Sequence, residues 1–421
     1  MPRLQNSPRW LRVAVWAIAC IAYLAAIMSR TSLSATAAIA SDRFALTSGD
    51  LATFGMLQLI VYAGAQIPAG MLIDRLGGRA VLLTGLVIVA GSQLLIGFGD
   101  TFATLLIARA FAGLGDALVF PSAVRLTAVS LPTRWISIGT QMIGVVGNFG
   151  MVVTATPLVL LVDAAGWPAG YAVMAAFTGI VALVAFGILQ GMGKDPSRTA
   201  SGESLGSVLR GTLESLRQGG AWLAFTGHLM AAAAFTAFVV TWGPLFLEHG
   251  AGLDAGGIGL FLLAIPFVGM VAGTLLGRVL VGRPRLRARV LVGSVVSQIV
   301  AWILVLTWPA PTPIALLVVL ALCTGVGGPA SLTAFDIARE IIPGNLAARA
   351  NGIVNTGGFS GALVIIWLTG VMLTAQGATA PGSYSMEAFG IAFIPMLVLL
   401  AVALVVFLIL DGRYGSAKKR A

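Results

Sequence analysis

The sequence predicts an all-α integral membrane protein, with twelve transmembrane helices in two six-helix pseudo-symmetric bundles and both termini cytoplasmic. Three observations carry this reading. The 421-residue chain is 58% hydrophobic and 10% charged, with a mean hydropathy of +0.99, a composition no water-soluble domain of that size tolerates. Its apolar residues gather into twelve runs of bilayer-crossing length. Its basic residues crowd the loops of one side.

In chain order the runs lie at 13–40, 51–73, 80–99, 102–125, 136–162, 169–191, 222–247, 257–281, 288–308, 313–335, 347–374 and 388–410. Within the first, Ala38-Ile39-Ala40 imitates a signal-peptidase site. The apolar stretch before it is about twice a signal core in length and holds Arg30, so it reads as an uncleaved helix. His228 interrupts 222–247 without disqualifying a helix of that length. The 53 glycines and 18 prolines suit polytopic helices, where small residues permit close packing and neighbours satisfy freed backbone groups. Cys20 and Cys323 fall inside runs, without metal-like spacing, and read as small apolar fillers.

The net charge of +10 invites a nucleic-acid reading, which its distribution opposes. With the N-terminus inside, the cytoplasmic side takes 22 of the 25 Lys and Arg residues. The other face takes Arg43 against Asp42, Asp50, Asp100, Asp163, Glu248, Asp254 and Glu387. This is the positive-inside bias. The basic run from Arg283 to Arg289 is then a topogenic loop able to touch anionic lipid, and no nucleic acid is expected as a partner.

The chain also repeats. Pro132 is followed by Gly147 and Gly150, and Pro343, 211 residues later, by Gly358 and Gly361 at the same spacings. Gly113-Leu114-Gly115 and Gly325-Val326-Gly327 precede the two prolines. The expected domains are a bundle at 1–190, a cytoplasmic linker at 191–220, a second bundle at 221–411 and a tail at 412–421. The linker begins polar (Lys194, Asp195, Arg198, Glu203), then sets Leu205, Val208, Leu209, Leu213 and Leu216 at helical spacing, as in an amphipathic helix on the membrane surface.

Arg30, Arg109 and Asp116 sit inside the runs, where each costs about 2.5–3.5 kcal/mol on insertion scales, so a functional reading is the default. At 1.5 Å per residue, Arg30 lies about 15 Å and Arg109 about 10 Å from the outer ends of their helices. That brings the two guanidiniums to one level. Asp116, seven residues after Arg109, falls two turns deeper on the same face. Neutralisation of Arg109 by Asp116 is the plain structural alternative, and it leaves Arg30 unexplained. A guanidinium keeps its proton and grips a carboxylate or phosphate through two charge-assisted hydrogen bonds. A carboxylic acid in low dielectric holds its proton more tightly than in water, which suits Asp116 to load and release one. Arg30 and Arg109 are thus substrate candidates, and Asp116 with Arg109 the proton-coupling candidates.

Polar side chains elsewhere could complete a cavity. Gln141 and Asn148 are seven apart, Asn351 and Asn355 four apart, and Tyr62 and Gln66 one turn apart. Amides both donate and accept, and so orient hydroxyls or carboxylates; interhelical glue of about 0.6 kcal/mol each is the equal alternative.

Between the second and third runs, Gly70-Met71-Leu72-Ile73-Asp74-Arg75-Leu76-Gly77-Gly78-Arg79 is a charged, glycine-rich turn. Its G-x-x-x-D-R-x-G-x-R pattern resembles the loop between helices 2 and 3 of the major facilitator superfamily of transporters. Arg30-Thr31-Ser32-Leu33-Ser34, Tyr62-x-x-x-Gln66-Ile67-Pro68-Ala69-Gly70 and Arg109-x-x-x-Gly113 resemble segments of its organic anion:cation (proton) symporter branch. Asp116 stands where that branch commonly has a glutamate before Phe-Pro, here Phe120-Pro121. Two positions depart from the pattern: Ser29 replaces an aspartate before the helix-1 arginine, removing one candidate proton carrier, and Ser32 replaces an asparagine.

The resemblance implies the major facilitator fold, with substrate held at mid-membrane between two parallel repeats. It also implies a gate in which Asp74 faces the N-terminus of a helix starting near Ala347, with Arg79 and Arg125 as its partners. Gly70, Asp74, Arg75, Gly77, Arg79 and Arg125 form that gating set. The echo Gly277-Arg278-Val279-Leu280-Val281-Gly282-Arg283 lacks the acid, which Asp336 and Glu340 could supply.

The expected function is alternating-access symport of a small organic anion, a carboxylate, with protons across the cell membrane. The chain is expected to act as a monomer in the lipid bilayer, with no cofactor or metal and the proton as coupling ion. The alternative on the same fold is a drug or metabolite:proton antiporter. Gly144-Val145-Val146-Gly147-Asn148-Phe149-Gly150 lacks the Gly-Pro of exporters, which counts against it. No nucleophile with a base, metal cluster or phosphate loop supports an enzyme or an ATP-driven pump.

Overall fold

The computed structural model describes residues 7–46, 48–193, 195, 205–309, 311–342, 347–378 and 383–415. Among the described residues, twelve helices are long and apolar enough to cross a membrane, and there is no strand. We number them as spans: 1, Arg9–Ala35; 2, Thr53–Leu76; 3, Gly78–Phe98; 4, Phe102–Ser130; 5, Thr133–Ala165; 6, Trp167–Gln190; 7, Gly219–Gly250; 8, Gly256–Val279; 9, Pro284–Thr307; 10, Ile314–Ile341; 11, Ala350–Ala375; 12, Met386–Tyr414. Each expected run has its span, with ends moved by a few residues.

Local chemistry fixes several ends. Thr101, Asp254 and Ser385 cap spans 4, 8 and 12 by accepting from the backbone N–H of Thr104, Gly257 and Ala388. Span 1 departs from its expected end at residue 40. It stops at Ala35, and a short helix, Ala37–Phe44, follows. At the break the Thr36 hydroxyl turns back to the Ser32 carbonyl, 3.0 Å, and meets the Tyr171 hydroxyl at 2.8 Å. A side-chain bond to the preceding turn competes with helix continuation.

The chain divides into two compact units, Met1–Gln218 with Ile342–Ile353, and Gly219–Ile341 with Val354–Ala421. Between the two expected bundles, Leu205–Arg217 is helical, with Ser215 buried and Leu213 half exposed. Lys194, Arg198 and Glu203 lie outside the described residues, as do Pro343 and the basic tail Lys418–Arg420.

Unit 1 packs aliphatic residues of spans 1, 3, 4 and 6, among them Val15, Ile18, Leu86, Val119 and Val181. Unit 2 adds a cluster of rings to its buried aliphatic residues: Trp302 meets Phe238, Phe246 and Phe393 at centroid distances of 5.1, 5.4 and 5.2 Å, geometry that aromatic pairs favour. In span 7, π-type turns cover Phe238–Trp242 and Phe246–Gly250, either side of Gly243-Pro244. Span 5 has one at Thr154–Leu158, around Pro157.

The repeat read from glycine spacing reappears as contacts. A Cβ on Gly150 would come within 2.8 Å of the Leu24 carbonyl and 3.2 Å of Met28, on span 1. One on Gly361 would come within 3.0 Å of Leu229 and 2.8 Å of Ala233, on span 7. The partners stand four residues apart in both units. A Cβ on Gly147 would come within 2.6 Å of the Tyr23 ring, and one on Gly358 within 2.9 Å of the His228 ring. Each unit therefore uses a glycine pair to press its fifth helix, or the counterpart, onto its first.

Candidate functional site

In unit 1, Arg30 Nε donates to Asp116 Oδ2 at 2.7 Å. Asp116 is 1% exposed and Arg30 13%, so the pair is largely shielded from solvent. The Arg30 guanidinium lies 4.7 Å from the centroid of the buried Tyr62 ring, within cation–π range. It also lies close to the hydroxyl of Tyr23, whose ring tilts against Phe120 at 4.9 Å. Next to Arg30, the Thr31 and Thr154 hydroxyls share a 2.7 Å bond, and Thr154 opens the π-type turn of span 5. Asp116 Oδ1 has no hydrogen-bond partner among the described residues.

The sequence placed Arg30 and Arg109 at one level, with Asp116 beneath Arg109. The structure pairs Asp116 with Arg30 instead. Seven residues along one helix amount to about 10.5 Å of rise, beyond the reach of a direct Arg109–Asp116 bond, whereas span 1 delivers Arg30 beside the carboxylate. Arg109 is 1% exposed. Its Nη1 donates to Gln58 Oε1 at 2.9 Å and to the Ser29 carbonyl at 3.3 Å. Around it, Gln93 Nε2 donates to Ser29 Oγ, and Ser32 Oγ donates to the Ser29 carbonyl. Gln58, Gln93, Tyr23, Tyr171 and Asp195 were not singled out as site residues. The available signal was a handful of glutamines and tyrosines inside apolar runs, with Tyr23 two turns before Arg30.

The amide candidates separate. Gln141 is 1% exposed and Asn148 only half-buried. Gln66 is buried and donates to the Tyr62 carbonyl one turn back, at 3.3 Å. Asn351 and Asn355 are both buried. Asn355 lies against His228, whose Nδ1 is 3.2 Å from the Ser331 carbonyl. That carbonyl sits where span 10 breaks between Ser331 and Thr333.

In the charged turn, Asp74 is 0% exposed and Gly70 is buried, while Arg75 is exposed. Gly77 has φ +88°, a backbone conformation that favours glycine, and a Cβ there would collide with the Asp195 carboxylate. Asp195 Oδ2 accepts from Arg79 N at 3.0 Å, so a residue just past span 6 caps span 3. The Arg79 side chain turns to the end of span 6, donating to the Gly193 carbonyl at 3.1 Å. Arg125, 1% exposed, interacts electrostatically with both Asp74 and Asp195. In the echo of unit 2, Glu340 pairs with Arg287 and Asp336 accepts from Arg339 at 2.7 Å.

The charged pair has no counterpart in unit 2. Seven residues after His228, where the repeat would set Arg30, stands Phe235; three after Gly325, where it would set Asp116, stands Gly328. A Cβ on Gly328 would lie 3.9 Å from the Phe235 ring. The same packing place is kept without charge.

Comparisons with known proteins bear on the fold and the family. A family model described as Major Facilitator Superfamily matches residues 19–366. A solved proton:xylose symporter, bound to 6-bromo-6-deoxy-D-glucose, superposes with a TM-score of 0.72 over 96% of each chain at 13% identity. A probable sulfoacetate transporter of Cupriavidus necator is 25% identical, across 65% of either chain. The match thus spans just under two thirds of that relative's length. A D-galactonate transporter of Escherichia coli O6:H1 is 23% identical over 83% of this chain and 86% of its own. The Methylenomycin A resistance protein of Bacillus subtilis is 23% identical over 98% of both. With twelve spans, two internally repeated units and a family match across most of its length, the chain is a multi-pass membrane transporter and belongs to the Major Facilitator Superfamily.

Proposed function

We propose that the chain is a proton-linked symporter of a small organic anion, a carboxylate, working by alternating access with both termini cytoplasmic. The observation that carries this is the shielded Arg30–Asp116 pair between spans 1 and 4. While Asp116 is ionised, it occupies the Nε–H of Arg30. A proton taken by the Asp116 carboxylate removes its charge, weakens that bond and frees the guanidinium to hold a substrate carboxylate with two N–H donors. Loss of the proton restores the pair and expels the anion. Proton and anion therefore favour each other's binding, which is the requirement for symport.

Tyr62 and Tyr23 hold the guanidinium in place, and Asn148 is a candidate to orient the anion's remaining oxygens. The gating set around Asp74 is proposed to act on the cytoplasmic side. Two relatives named for organic anions, sulfoacetate and galactonate, support the anionic class. The relative named for methylenomycin resistance spans nearly the whole chain and favours a second reading, proton-driven efflux.

Purified protein reconstituted into vesicles separates the two. Carboxylates should raise the melting temperature of the wild type but not of Arg30→Ala, and an imposed proton gradient should drive their accumulation in the wild type but not in Asp116→Asn. A thermal response confined to lipophilic cations would overturn the anion reading. Gradient-driven accumulation by Asp116→Asn would remove Asp116 as the coupling site.

A further inference from the structure

Symport through Arg30 and Asp116 leaves Arg109 unused. Its guanidinium is 1% exposed on span 4, inside unit 1. Only Nη1 is engaged, by the Gln58 amide oxygen at 2.9 Å and the Ser29 carbonyl at 3.3 Å. Among the described residues, Arg109 Nε and Nη2 are buried without a hydrogen-bond partner, and so is Gln58 Nε2. The two side chains touch through Nη1 and Oε1, so these orphan donors belong to one contact between spans 2 and 4.

The polar groups nearby are spoken for. Ser29 Oγ accepts from Gln93, Ser32 Oγ donates to the Ser29 carbonyl and to Gln93 Oε1, and the Thr36 and Tyr171 hydroxyls pair at 2.8 Å. All of them are neutral. Among the described residues, Arg30, Arg43, Arg287 and Arg339 have carboxylate partners, and Arg109 does not. A guanidinium cannot shed its proton, and a permanent charge in low dielectric is retained only when it is paired. Hydrogen bonding and charge therefore make the same demand: a monovalent acceptor that takes several N–H groups at once. Packing adds a preference. At Gly113, one turn along span 4, a Cβ would collide with the Gln58 backbone carbonyl, so spans 2 and 4 lie close at this level, which favours a small anion.

We propose that Arg109 and Gln58 form a binding site for a monatomic halide, chloride in kind, held as an internal counter-ion of unit 1 and distinct from the Arg30–Asp116 pair. The halide accepts from Arg109 Nε and Nη2 and from Gln58 Nε2, and neutralises the buried charge. The inference does not depend on the transported substrate.

Thermal unfolding of the purified full chain tests it, in sodium chloride, bromide or sulfate at matched ionic strength. Because a ligand of the folded state stabilises with the logarithm of its concentration, the wild type should melt higher as chloride or bromide rises, with sulfate unable to substitute. Arg109→Gln should lose the response. Gln58→Glu places a fixed carboxylate beside the guanidinium, so it should be as stable in sulfate as the wild type is in chloride, and equally indifferent to halide. Bromide-grown wild-type crystals should show anomalous scattering beside Arg109, a readout that needs no variant to fold. Wild-type melting blind to the identity of the anion would overturn the proposal, leaving buried water as the acceptor. So would a full halide response in Gln58→Glu, or no anomalous peak. None of these results bears on the symport reading, which stands or falls on Arg30 and Asp116.

Discussion

Breaking the Arg30–Asp116 pair is the sharpest test of how unit 1 is built. The contact is 2.7 Å and its members are 13% and 1% exposed, so solvent screening removes little of it. With charge centres about 4 Å apart and an effective dielectric near 20, the attraction is about 4 kcal/mol. Removing one partner strands the other, at a cost of about 3–5 kcal/mol, whereas removing both with apolar residues of similar volume is often close to neutral. Asp116→Leu and Arg30→Met should each be strongly destabilising. The double variant should cost far less than their sum, giving a coupling of at least about 3 kcal/mol. The chain carries its own probe. Cys20 is buried in unit 1, and Cys323 is the other free thiol. In a Cys323→Ser background, reaction of Cys20 with a thiol dye on heating in detergent reports the unfolding of unit 1. Additive losses in the double variant would refute the reasoning, since they would mean that the two charges do not share their stabilisation.

Other perturbations follow from local geometry. Gly147→Ala puts a Cβ 2.6 Å from the Tyr23 ring, and Tyr23 is held by Phe120 and Arg30, so overpacking should cost about 1–3 kcal/mol and weaken the carboxylate response. Gly64→Ala, with nothing within 4 Å, is the control and should be neutral or slightly stabilising in the same melt. Gly77→Ala forces a side chain onto φ +88° and against Asp195, costing about 1–3 kcal/mol; Asp195→Ala, which removes the cap of span 3 and a carboxylate facing Arg125, should cost at least about 1 kcal/mol, so an unchanged melt for either variant would contradict this reading of the turn. Glu340→Gln should cost no more than about 1 kcal/mol, because Glu340 is 33% exposed in its pair with Arg287, and a loss comparable to that of Asp116→Leu would show that the echo in unit 2 matters more than its exposure implies.

Much of this protein is written in local pattern. The solvent, the number of spans and their positions follow from composition and run length, because a helix in lipid must satisfy its own backbone and cover itself with apolar side chains. The charged turn is legible for a similar reason: three charges and three glycines within Gly70–Arg79 end an apolar run rather than continue it, and the φ of Gly77 shows the demand that glycine meets there. Even the internal repeat is visible as glycine spacing, since only glycine lets the fifth helix lie against the first so closely that a Cβ would meet the Leu24 carbonyl at 2.8 Å.

Pairing is what the sequence leaves open. By itself it determined that Arg30, Arg109 and Asp116 lie in the membrane and are costly there. Seven-residue spacing suggested Arg109 over Asp116, but a helix face says which residues align, not which atoms meet. Only the tertiary structure gave Asp116 to Arg30, set Arg109 among neutral acceptors and brought Asp195 to the start of span 3. The physical reason is reach: a hydrogen bond needs about 3 Å, two turns of one helix separate side chains by about 10.5 Å, and the gap is closed only by a neighbouring helix whose depth and rotation are fixed by packing.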